Sequence, residues 1–273
     1  MNILVTINKN YLRQLLILLK SLQKSNDNVL FDVFVMAKDI TDLDIKNIQE
    51  NLSKKITIHL INIPDSEIDN FPVVEKRYPI EIYFRLFATK YLPEDIDKIL
   101  YLDTDIVVIN SLQKLYDMDF LDNYFITTTH VRKFIHKFHE VRLNMNNSNV
   151  YVNTGVLLMN LKALRKTNIE RDVINFVDKN KYKLMLPDQD ILSALYGDKV
   201  MLVDALIYNL GERGYNLYNL NNKNKIDLNW LRKNSVIIHY YGRNKPWGKN
   251  YRGELNVFYN EIVDEMEVIH KNV

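Results

Sequence analysis

The chain has 273 residues, of which 47% are hydrophobic and 26% are charged, a composition typical of a globular protein with a large core. Its net charge of +2 is too small to indicate a nucleic-acid-binding protein, and its longest apolar runs are too short to cross a bilayer. The absence of cysteine excludes thiolate zinc sites and cysteine nucleophiles, and together with the lack of an export signal it predicts a cytoplasmic protein.

The first part of the chain alternates between strand and helix patterns. Strands are predicted at residues 3–7, 29–36 and 56–63, and helices at residues 11–22 and 41–52. Thr41 opens the second helix with a capping box. This βαβαβ order favours a mostly parallel sheet with helices on both faces, as in nucleotide-binding folds.

The positions of the glycines limit how such a fold can bind phosphate. All seven glycines lie at or after Gly155. This excludes a G-x-G-x-x-G dinucleotide site and a Walker loop from the first 154 residues. The charge of a bound diphosphate would therefore be met by a metal ion and by side chains.

A proline-rich segment, residues 64–79, interrupts the pattern before a helix that contains Tyr83 and Arg85. It holds three of the six prolines, and its length suits a lid that closes over a ligand, with Arg77 and Tyr78 near the hinge. A plain surface loop is an equal alternative.

Two apolar strands end in polar residues that suit a metal site. Residues 98–102 lead into Asp103-Thr104-Asp105, and residues 236–238 lead into His239. On an extended strand, side chains two positions apart face the same way, so Asp103 and Asp105 are predicted to share one cation. Carboxylates suit Mg²⁺ or Mn²⁺, and a His239 nitrogen favours Mn²⁺. Each motif alone also fits a solvated acidic turn or a core histidine.

Together these motifs resemble family 8 of the glycosyltransferases, and the resemblance runs from Ile3 to Trp247. In chain order, the motifs that carry it are Asn10-Tyr11, Tyr83-x-Arg85, Asp103-Thr104-Asp105, Asn153-Thr154-Gly155-Val156-Leu157-Leu158, Asp188-Gln189-Asp190 and the segment from His239 to Trp247.

The resemblance implies an α/β protein of the GT-A fold, with a Rossmann-like, mostly parallel sheet. It also implies a metal-dependent enzyme that transfers a hexose from UDP-glucose or UDP-galactose with retention of configuration. The acceptor would be a glycan or a lipid-linked saccharide, in the synthesis of bacterial cell-surface polysaccharide or lipopolysaccharide. Membrane contact would at most be peripheral, at the inner face.

The same resemblance implies roles for individual residues. The uridine would be bound at the end of the first strand, and the phosphates by Lys245 and the backbone of Gly242. Arg85, Asp188 and Gln189 are the predicted catalytic residues, with Arg85 and Asp188 on the donor sugar and Gln189 beside its anomeric carbon. The other predicted donor-binding residues are Thr6, Asn8, Asn10, Tyr11, Asp103, Thr104, Asn153 and Thr154.

Two positions depart from the family pattern. The family commonly has aspartate where this chain has Asn8, and a second sugar-binding aspartate is replaced by Thr128-Thr129-His130. The residues also allow simpler roles, because Asn10 and Asp188 equally suit helix N-caps.

Several other features leave alternatives open. Residues 1–253 are predicted to form the catalytic domain, and residues 254–273 an amphipathic helix that packs on it or extends it. His136, His139 and Glu140 indicate either a second metal site or a solvated helix face. Candidate aromatic residues for stacking on an acceptor sugar are Tyr215, Tyr218, Tyr241 and Trp247.

Two rival functions remain at this point. Residues 103–107 also fit the D-x-D-x-[TV] motif of haloacid-dehalogenase-type phosphatases, although that family carries it on the first strand. A catalytically silent protein that binds a sugar nucleotide or a glycan is the second alternative.

Overall fold

The structure is a computed structural model that describes residues 1–68, 79–131 and 133–271. Its strands are β1 (Asn2–Thr6), β2 (Phe31–Ala37), β3 (Ile56–Asn62), β4 (Lys98–Leu102), β5 (Ile106–Val108), β6 (Phe125–Thr128), β7 (Asn153–Asn160), β8 (Val200–Leu202) and β9 (Ile237–His239). Its helices are α1 (Leu12–Ser25), α2 (Asp42–Gln49), α3 (Asp65–Ile68), α4 (Glu81–Phe84), α5 (Ala88–Tyr91), α6 (Gln113–Tyr116), α7 (Lys133–Leu143), α8 (Leu161–Leu164), α9 (Ile169–Asn180), α10 (Pro187–Tyr196), α11 (Ala205–Tyr208), α12 (Glu212–Asn221), α13 (Leu228–Asn234) and α14 (Asn256–Lys271). Short 3₁₀ helices lie at Lys9–Tyr11, Arg85–Phe87, Lys181–Lys183 and Gly197–Lys199.

The strands form one large sheet and one small one. The large sheet has the order β3-β2-β1-β4-β7-β6-β8, and β5 pairs with β9 in a separate two-stranded sheet. Within the large sheet only β7 runs antiparallel to its neighbours. The prediction of a mostly parallel α/β sheet is confirmed. Parallel pairing of β1 with β2 and of β2 with β3 needs crossover connections, and α1 and α2 provide them.

Element boundaries lie close to those that the sequence predicts. Helix α1 begins one residue later than expected, after a 3₁₀ turn, and ends later, at Ser25. The capping box of α2 is confirmed, because Thr41 Oγ1 accepts from the Asp44 backbone N–H while the Asp44 carboxylate accepts from the Thr41 backbone N–H at 3.0 Å. That helix ends at Gln49 rather than at residue 52.

Both faces of the large sheet are covered, as predicted. In β1, Leu4 packs into a cluster with α9 and α10, whereas Ile3 and Val5 on the opposite face pack with α1 and α2. All three side chains are fully buried. Strands buried on both faces are expected to be almost continuously apolar, as β1 and β2 are.

Helix α14 is the amphipathic helix expected near the end of the chain. Phe258, Tyr259 and Ile262 are buried, and they share a cluster with Ile17 of α1 and with β9. Among the described residues, no helix combines the length and the apolar character that a membrane span requires. Of the predicted lid, α3 is seen, whereas Arg77 and Tyr78 lie outside the described residues.

Candidate active site

A cavity of about 320 Å³ lies at the carboxyl ends of β1 and β4, where open α/β sheets bind ligands. Every predicted site residue lines it except Asn10, which is exposed. The cavity thus brings together Thr6, Asn8, Tyr11, Arg85, Asp103, Thr104, Asp105, Asn153, Thr154, Asp188, Gln189, His239, Gly242 and Lys245. Tyr241, an aromatic candidate for the acceptor, also lines it, and the lining residues that the sequence did not predict are Ile7, Pro79, Glu81, Ile82 and Leu186. Of these, Glu81 is buried and its Oε1 has no hydrogen-bond partner among the described residues.

Asp103 and Asp105 lie in the turn between β4 and β5. The prediction that they continue an extended strand is wrong, because the chain leaves the large sheet here to pair with β9 in the small one. Backbone hydrogen bonds fix both ends of the turn: the Asp103 N–H donates to the Gly155 carbonyl at 2.8 Å, and the Tyr240 N–H donates to the Asp105 carbonyl at 2.9 Å. The turn still presents both carboxylates to the cavity.

His239 reaches the same point from β9, where it lies opposite Ile106 in the ladder with β5. Its Nε2 is 3.0 Å from Asp105 Oδ1 and 3.6 Å from Asp103 Oδ2. One ligand atom from each of the three residues lies within 4.8 Å of the others. We call Asp103, Asp105 and His239 the carboxylate–imidazole cluster.

The donor atoms of this cluster fit a divalent cation. Asp105 Oδ1 and His239 Nε2 are both buried, and neither makes a hydrogen bond with suitable geometry in the described part of the chain. Burial alone would raise the pKa of Asp105, but His239 and Lys245 outweigh it and hold that pKa well below its usual range. Asp105 is therefore ionised. The Lys245 ammonium donates to Asp105 Oδ2 and, at 2.9 Å, to the Tyr240 carbonyl.

Gly155 allows the cluster to sit directly against β7. A Cβ atom at this position would lie 2.3 Å from His239 Cε1 and 2.6 Å from Asp103 Oδ2. No larger residue fits there without displacing a predicted metal ligand.

Arg85 connects the cluster to Asp188, on α10. Its side chain is 5% exposed, and its guanidinium lies 3.1 Å from Asp103 Oδ1 and 3.3 Å from Asp188 Oδ2. Nη1 also donates to the Thr154 carbonyl at 3.1 Å. Burial alone would lower the pKa of Arg85, but the surrounding acidic groups raise it, so the guanidinium stays charged and holds both carboxylates.

Asp188 faces the cavity and does not cap its helix. The N-cap of α10 is Leu186, which has no capping side chain, and Asp188 instead accepts from Thr154 Oγ1 at 2.6 Å. Burial raises the pKa of Asp188, and Arg85 and Thr154 only partly offset that effect. The start of α10 is fixed by Asp190, whose Oδ2 accepts the backbone N–H groups of Met185 and Leu186.

The helix cap at the end of β1 also differs from the one that the sequence suggested. Asn8, not Asn10, is the N-cap of the 3₁₀ helix, and its Oδ1 accepts from the Asn10 backbone N–H at 3.1 Å. Thr6 also lines the cavity, and its hydroxyl is 3.2 Å from that of Tyr101. Tyr101 in turn donates to Asp103 Oδ1 at 2.6 Å. The predicted uridine-binding edge is thus linked to the cluster.

The two histidines of α7 form neither a metal site nor a solvated face. His136 Nε2 bonds the Asn149 carbonyl at 2.9 Å, and buried His139 stacks on Tyr151 and contacts Arg142. Among the described residues, the carboxylate–imidazole cluster is the group with metal-ligand geometry.

A buried asparagine that the sequence did not single out, Asn209, lies behind the cluster. It is fully buried, and its side chain contacts His239, Asn153 and Thr128. Its carbonyl bonds Nε2 of His130, and burial lowers the pKa of His130 to about 4. A single asparagine after an apolar run has no sequence signal, so only the structure reveals it.

Of the four aromatic candidates for the acceptor, Tyr241 lines the cavity. Tyr215 is buried and its hydroxyl donates to Glu254, while Trp247 packs against Tyr259. Tyr215 therefore has no exposed face for stacking, whereas Tyr218 and Trp247 are half-buried and pack against the cluster around α14.

Comparison with known proteins identifies the family. The model of the family described as "Glycosyl transferase family 8" matches residues 2–251. A lipopolysaccharide 1,2-glucosyltransferase of Escherichia coli is 26% identical over 88% of this chain and 71% of its own length. A lipopolysaccharide 1,3-galactosyltransferase of Salmonella typhimurium is 24% identical over 90% of this chain and 72% of its own length.

The fold agrees with this assignment. The crystal structure of the galactosyltransferase LgtC in complex with donor and acceptor sugar analogues superposes with a TM-score of 0.82, at 26% identity, over 97% of this chain and 96% of that one. The phosphatase alternative is therefore wrong: its motif belongs on a first strand, whereas Asp103-Thr104-Asp105 follows β4. The chain belongs to glycosyl transferase family 8 and is a retaining glycosyltransferase of the GT-A fold.

Proposed function

We propose that this enzyme transfers glucose or galactose from a UDP-hexose to a glycan or lipid-linked saccharide, in the synthesis of bacterial lipopolysaccharide or another cell-surface polysaccharide. The observation that carries the proposal is the carboxylate–imidazole cluster, which opens into the cavity beside Lys245 and Arg85. The similar lipopolysaccharide glucosyl- and galactosyltransferases support the choice of hexose and acceptor class. We place the enzyme in the cytoplasm, with at most peripheral contact at the inner membrane face.

We assign the nucleotide to the β1 side of the cavity. Tyr11 would stack on the uracil, and the Asn8 amide would hydrogen-bond it while its oxygen also caps the 3₁₀ helix. Thr6 and Thr104 line the same side. The Asn10 side chain is exposed and its backbone N–H already donates to Asn8 Oδ1, so a contact between Asn10 and the base would come from its side chain.

The diphosphate belongs beside the cluster. Asp103, Asp105 and His239 would hold Mn²⁺ or Mg²⁺, which would balance the charge on the phosphate oxygens as UDP departs. Lys245 and the Gly242 backbone N–H would donate to the same oxygens. Gly242 has a φ of +82°, a left-handed conformation that suits glycine, so the backbone here can turn toward a ligand.

The donor sugar is assigned to the residues around Arg85. Asp188 would accept hydrogen bonds from its hydroxyls, and Asn153 and Thr154 complete that wall of the cavity. Asp188 is already held by Arg85 and Thr154, so we assign it to binding and orientation. Gln189 would stabilise the charge that develops at the anomeric carbon, as the acceptor hydroxyl attacks from the face that UDP leaves.

We also propose that residues 1–253 form the catalytic domain and that residues 254–273 extend it as a packing element. The supporting observation is that α14 buries Phe258, Tyr259 and Ile262 against the same cluster as β9, the strand that carries His239. On this view, the helix supports the site without contributing residues to the cavity.

The proposal is tested by a donor screen. Full-length protein is incubated with several UDP-sugars in Mn²⁺, Mg²⁺, Ca²⁺ or excess chelator, together with an array of saccharide acceptors. We expect transfer from UDP-glucose or UDP-galactose in Mn²⁺, none in chelator, and an α-linked first product by proton NMR. Full turnover in chelator would contradict the metal assignment, and UDP-hexose binding without hydrolysis or transfer would favour a silent binding protein.

A further inference from the structure

Asn209 lies behind both the carboxylate–imidazole cluster and the sugar side of the cavity. Its Nδ2 is 2.9 Å from Thr128 Oγ1 and 2.9 Å from Asn153 Oδ1, and its Oδ1 is 2.7 Å from His239 Nδ1. We propose that Asn209 is a positioning residue, which holds the His239 ring for the cation and the Asn153 amide for the donor sugar. The identity of these two ligands rests on the function proposed above.

The orientation of both amides follows from one backbone group. The Gly155 N–H can only donate, and it lies 3.0 Å from the Asn153 side chain, so the Asn153 atom that faces it is the oxygen. The same oxygen faces Asn209 at 2.9 Å. The Asn209 atom at that contact must therefore be the donor, Nδ2, and the other atom of its amide, Oδ1, must face His239.

This orientation fixes the role of each nitrogen of His239. Because Asn209 Oδ1 can only accept, the His239 Nδ1 opposite it must carry a proton and donate. The neutral ring then has its lone pair on Nε2, the atom that lies between the two carboxylates and has no hydrogen bond. A ligating histidine whose second nitrogen donates to a fixed acceptor is the usual arrangement in metal sites.

The same chain of bonds sets what Asn153 offers to the donor sugar. Its Oδ1 already accepts from both Gly155 and Asn209. Its Nδ2 is the group that remains for the cavity, which Asn153 lines. Asn153 is therefore a hydrogen-bond donor toward a sugar oxygen, and Asn209 keeps it from flipping.

Asn209 itself cannot easily move. It is 0% exposed, its backbone N–H donates to the Ala205 carbonyl at 3.1 Å, and its carbonyl accepts from His130 at 2.8 Å. One rigid side chain thus supports a metal ligand and a sugar ligand together.

Two substitutions separate these two functions. Asn209→Ala removes both, so we expect Mn²⁺ affinity to fall about 10- to 100-fold, the usual effect of losing the partner of a ligating histidine. Asn209→Asp keeps an acceptor for His239 Nδ1–H but cannot donate to Asn153. This variant should bind Mn²⁺ nearly as the wild type does, yet lose the added affinity of UDP-hexose over UDP.

The measurement is calorimetry with Mn²⁺, UDP and UDP-hexose on the full chain, alongside thermal unfolding in chelator. The matched control is Asn26→Ala, because Asn26 is also buried and makes two hydrogen bonds, to Leu22 and Leu112, away from the cavity. The Asn26→Ala variant should be less stable than the wild type but keep its affinity for Mn²⁺ and for UDP-hexose. Wild-type Mn²⁺ affinity in Asn209→Ala, or an equal loss of affinity in Asn26→Ala, would overturn the proposal, as would an Asn209→Asp variant that loses metal as Asn209→Ala does.

Nitrogen-15 NMR of the metal-free wild-type protein gives a test that no folding defect can obscure. We expect the His239 side chain, assigned by comparison with His239→Gln, to show a protonated Nδ1 and, in its neutral form, an unprotonated Nε2. The opposite tautomer would refute the network. If the proposed function itself failed, the wild-type protein would bind neither Mn²⁺ nor UDP-hexose, whereas failure of this inference alone leaves wild-type binding intact.

Discussion

The close contact of Gly155 with the carboxylate–imidazole cluster makes Gly155→Ala a direct test of that site. The added methyl would lie 2.3 Å from His239 Cε1 and 2.6 Å from Asp103 Oδ2. Carbon atoms in contact are about 3.5 to 4.0 Å apart, so the imidazole would have to retreat by about 1 Å. Metal–ligand distances tolerate only about 0.2 Å, so the cluster could not keep its geometry.

We therefore expect Gly155→Ala to lose Mn²⁺ affinity by at least about tenfold, the lower limit for disturbing the support of a metal ligand. Overpacking at a buried position should also reduce the free energy of unfolding by about 1 to 3 kcal/mol. Calorimetric titration with Mn²⁺ in the presence of UDP measures the first effect. Urea unfolding in chelator measures the second without any contribution from metal binding.

Gly214→Ala is the matched control. This glycine lies in the first turn of α12, and its added methyl would meet the flexible end of Leu210 at 3.3 Å and the Tyr241 hydroxyl at 3.9 Å, which is an ordinary van der Waals distance. Alanine is favoured over glycine inside a helix by about 1 kcal/mol, so this variant should be at least as stable as the wild type and bind Mn²⁺ equally well. Wild-type Mn²⁺ affinity in Gly155→Ala would refute the placement of the metal between His239 and Asp103.

Three further predictions concern the nucleotide, the sugar and pH. Tyr11→Ala and Lys245→Ala should each weaken UDP binding by about 1 to 3 kcal/mol in calorimetry, through loss of a stacking or charge-assisted contact. Asp188→Asn should lower kcat/KM severely by loosening the donor sugar, whereas Gln189→Ala should lower kcat and leave UDP affinity nearly unchanged, as steady-state kinetics would show. His130 has a pKa of about 4 in the folded protein, below its ordinary 6.5, so the unfolded chain binds more protons and stability falls as pH falls from 6.5 to 4. The loss amounts to about 3 kcal/mol at most, and His130→Gln, which keeps an N–H donor, should show a correspondingly weaker pH dependence in urea unfolding.

Each of these predictions has a clear contrary result. Unchanged UDP affinity in both nucleotide-site variants would move the uridine and phosphates elsewhere. A Gln189→Ala enzyme with wild-type kcat would remove that residue from the chemistry. Parallel stability curves for His130→Gln and the wild type between pH 4 and 6.5 would show that other groups dominate acid unfolding.

The sequence could predict the large sheet because its signals are local. Short apolar strand patterns and the capping box at Thr41 each act over a few positions, and the structure places β1, β2, β3 and α2 accordingly. The sequence also predicted that Asp103, Asp105 and His239 would lie together, and the structure brings one ligand atom from each within 4.8 Å of the others.

What the sequence could not predict depends on contacts between distant parts of the chain. Asp103 and Asp105 leave the strand because β5 pairs with β9, a choice that is made far along the chain. Asp188 suits an N-cap locally, but buried Arg85 binds it instead. Asn209 has no local pattern at all, because its importance lies in three partners on three other elements.

The small sheet of β5 and β9 has a consequence for the order of folding. It pairs Ile106 with His239 and Val108 with Ile237, and next to it Lys245 contacts Asp105, which is 140 residues away in sequence. Closing a loop of that size is slow, whereas β1, β2 and β3 can pair with near neighbours. We expect the binding site to be completed last, on a sheet that is already formed. A cation that binds only the complete site would then stabilise the native state by an amount that grows with the logarithm of the cation concentration. Metal binding would thus oppose local unfolding of the part of the fold that forms last.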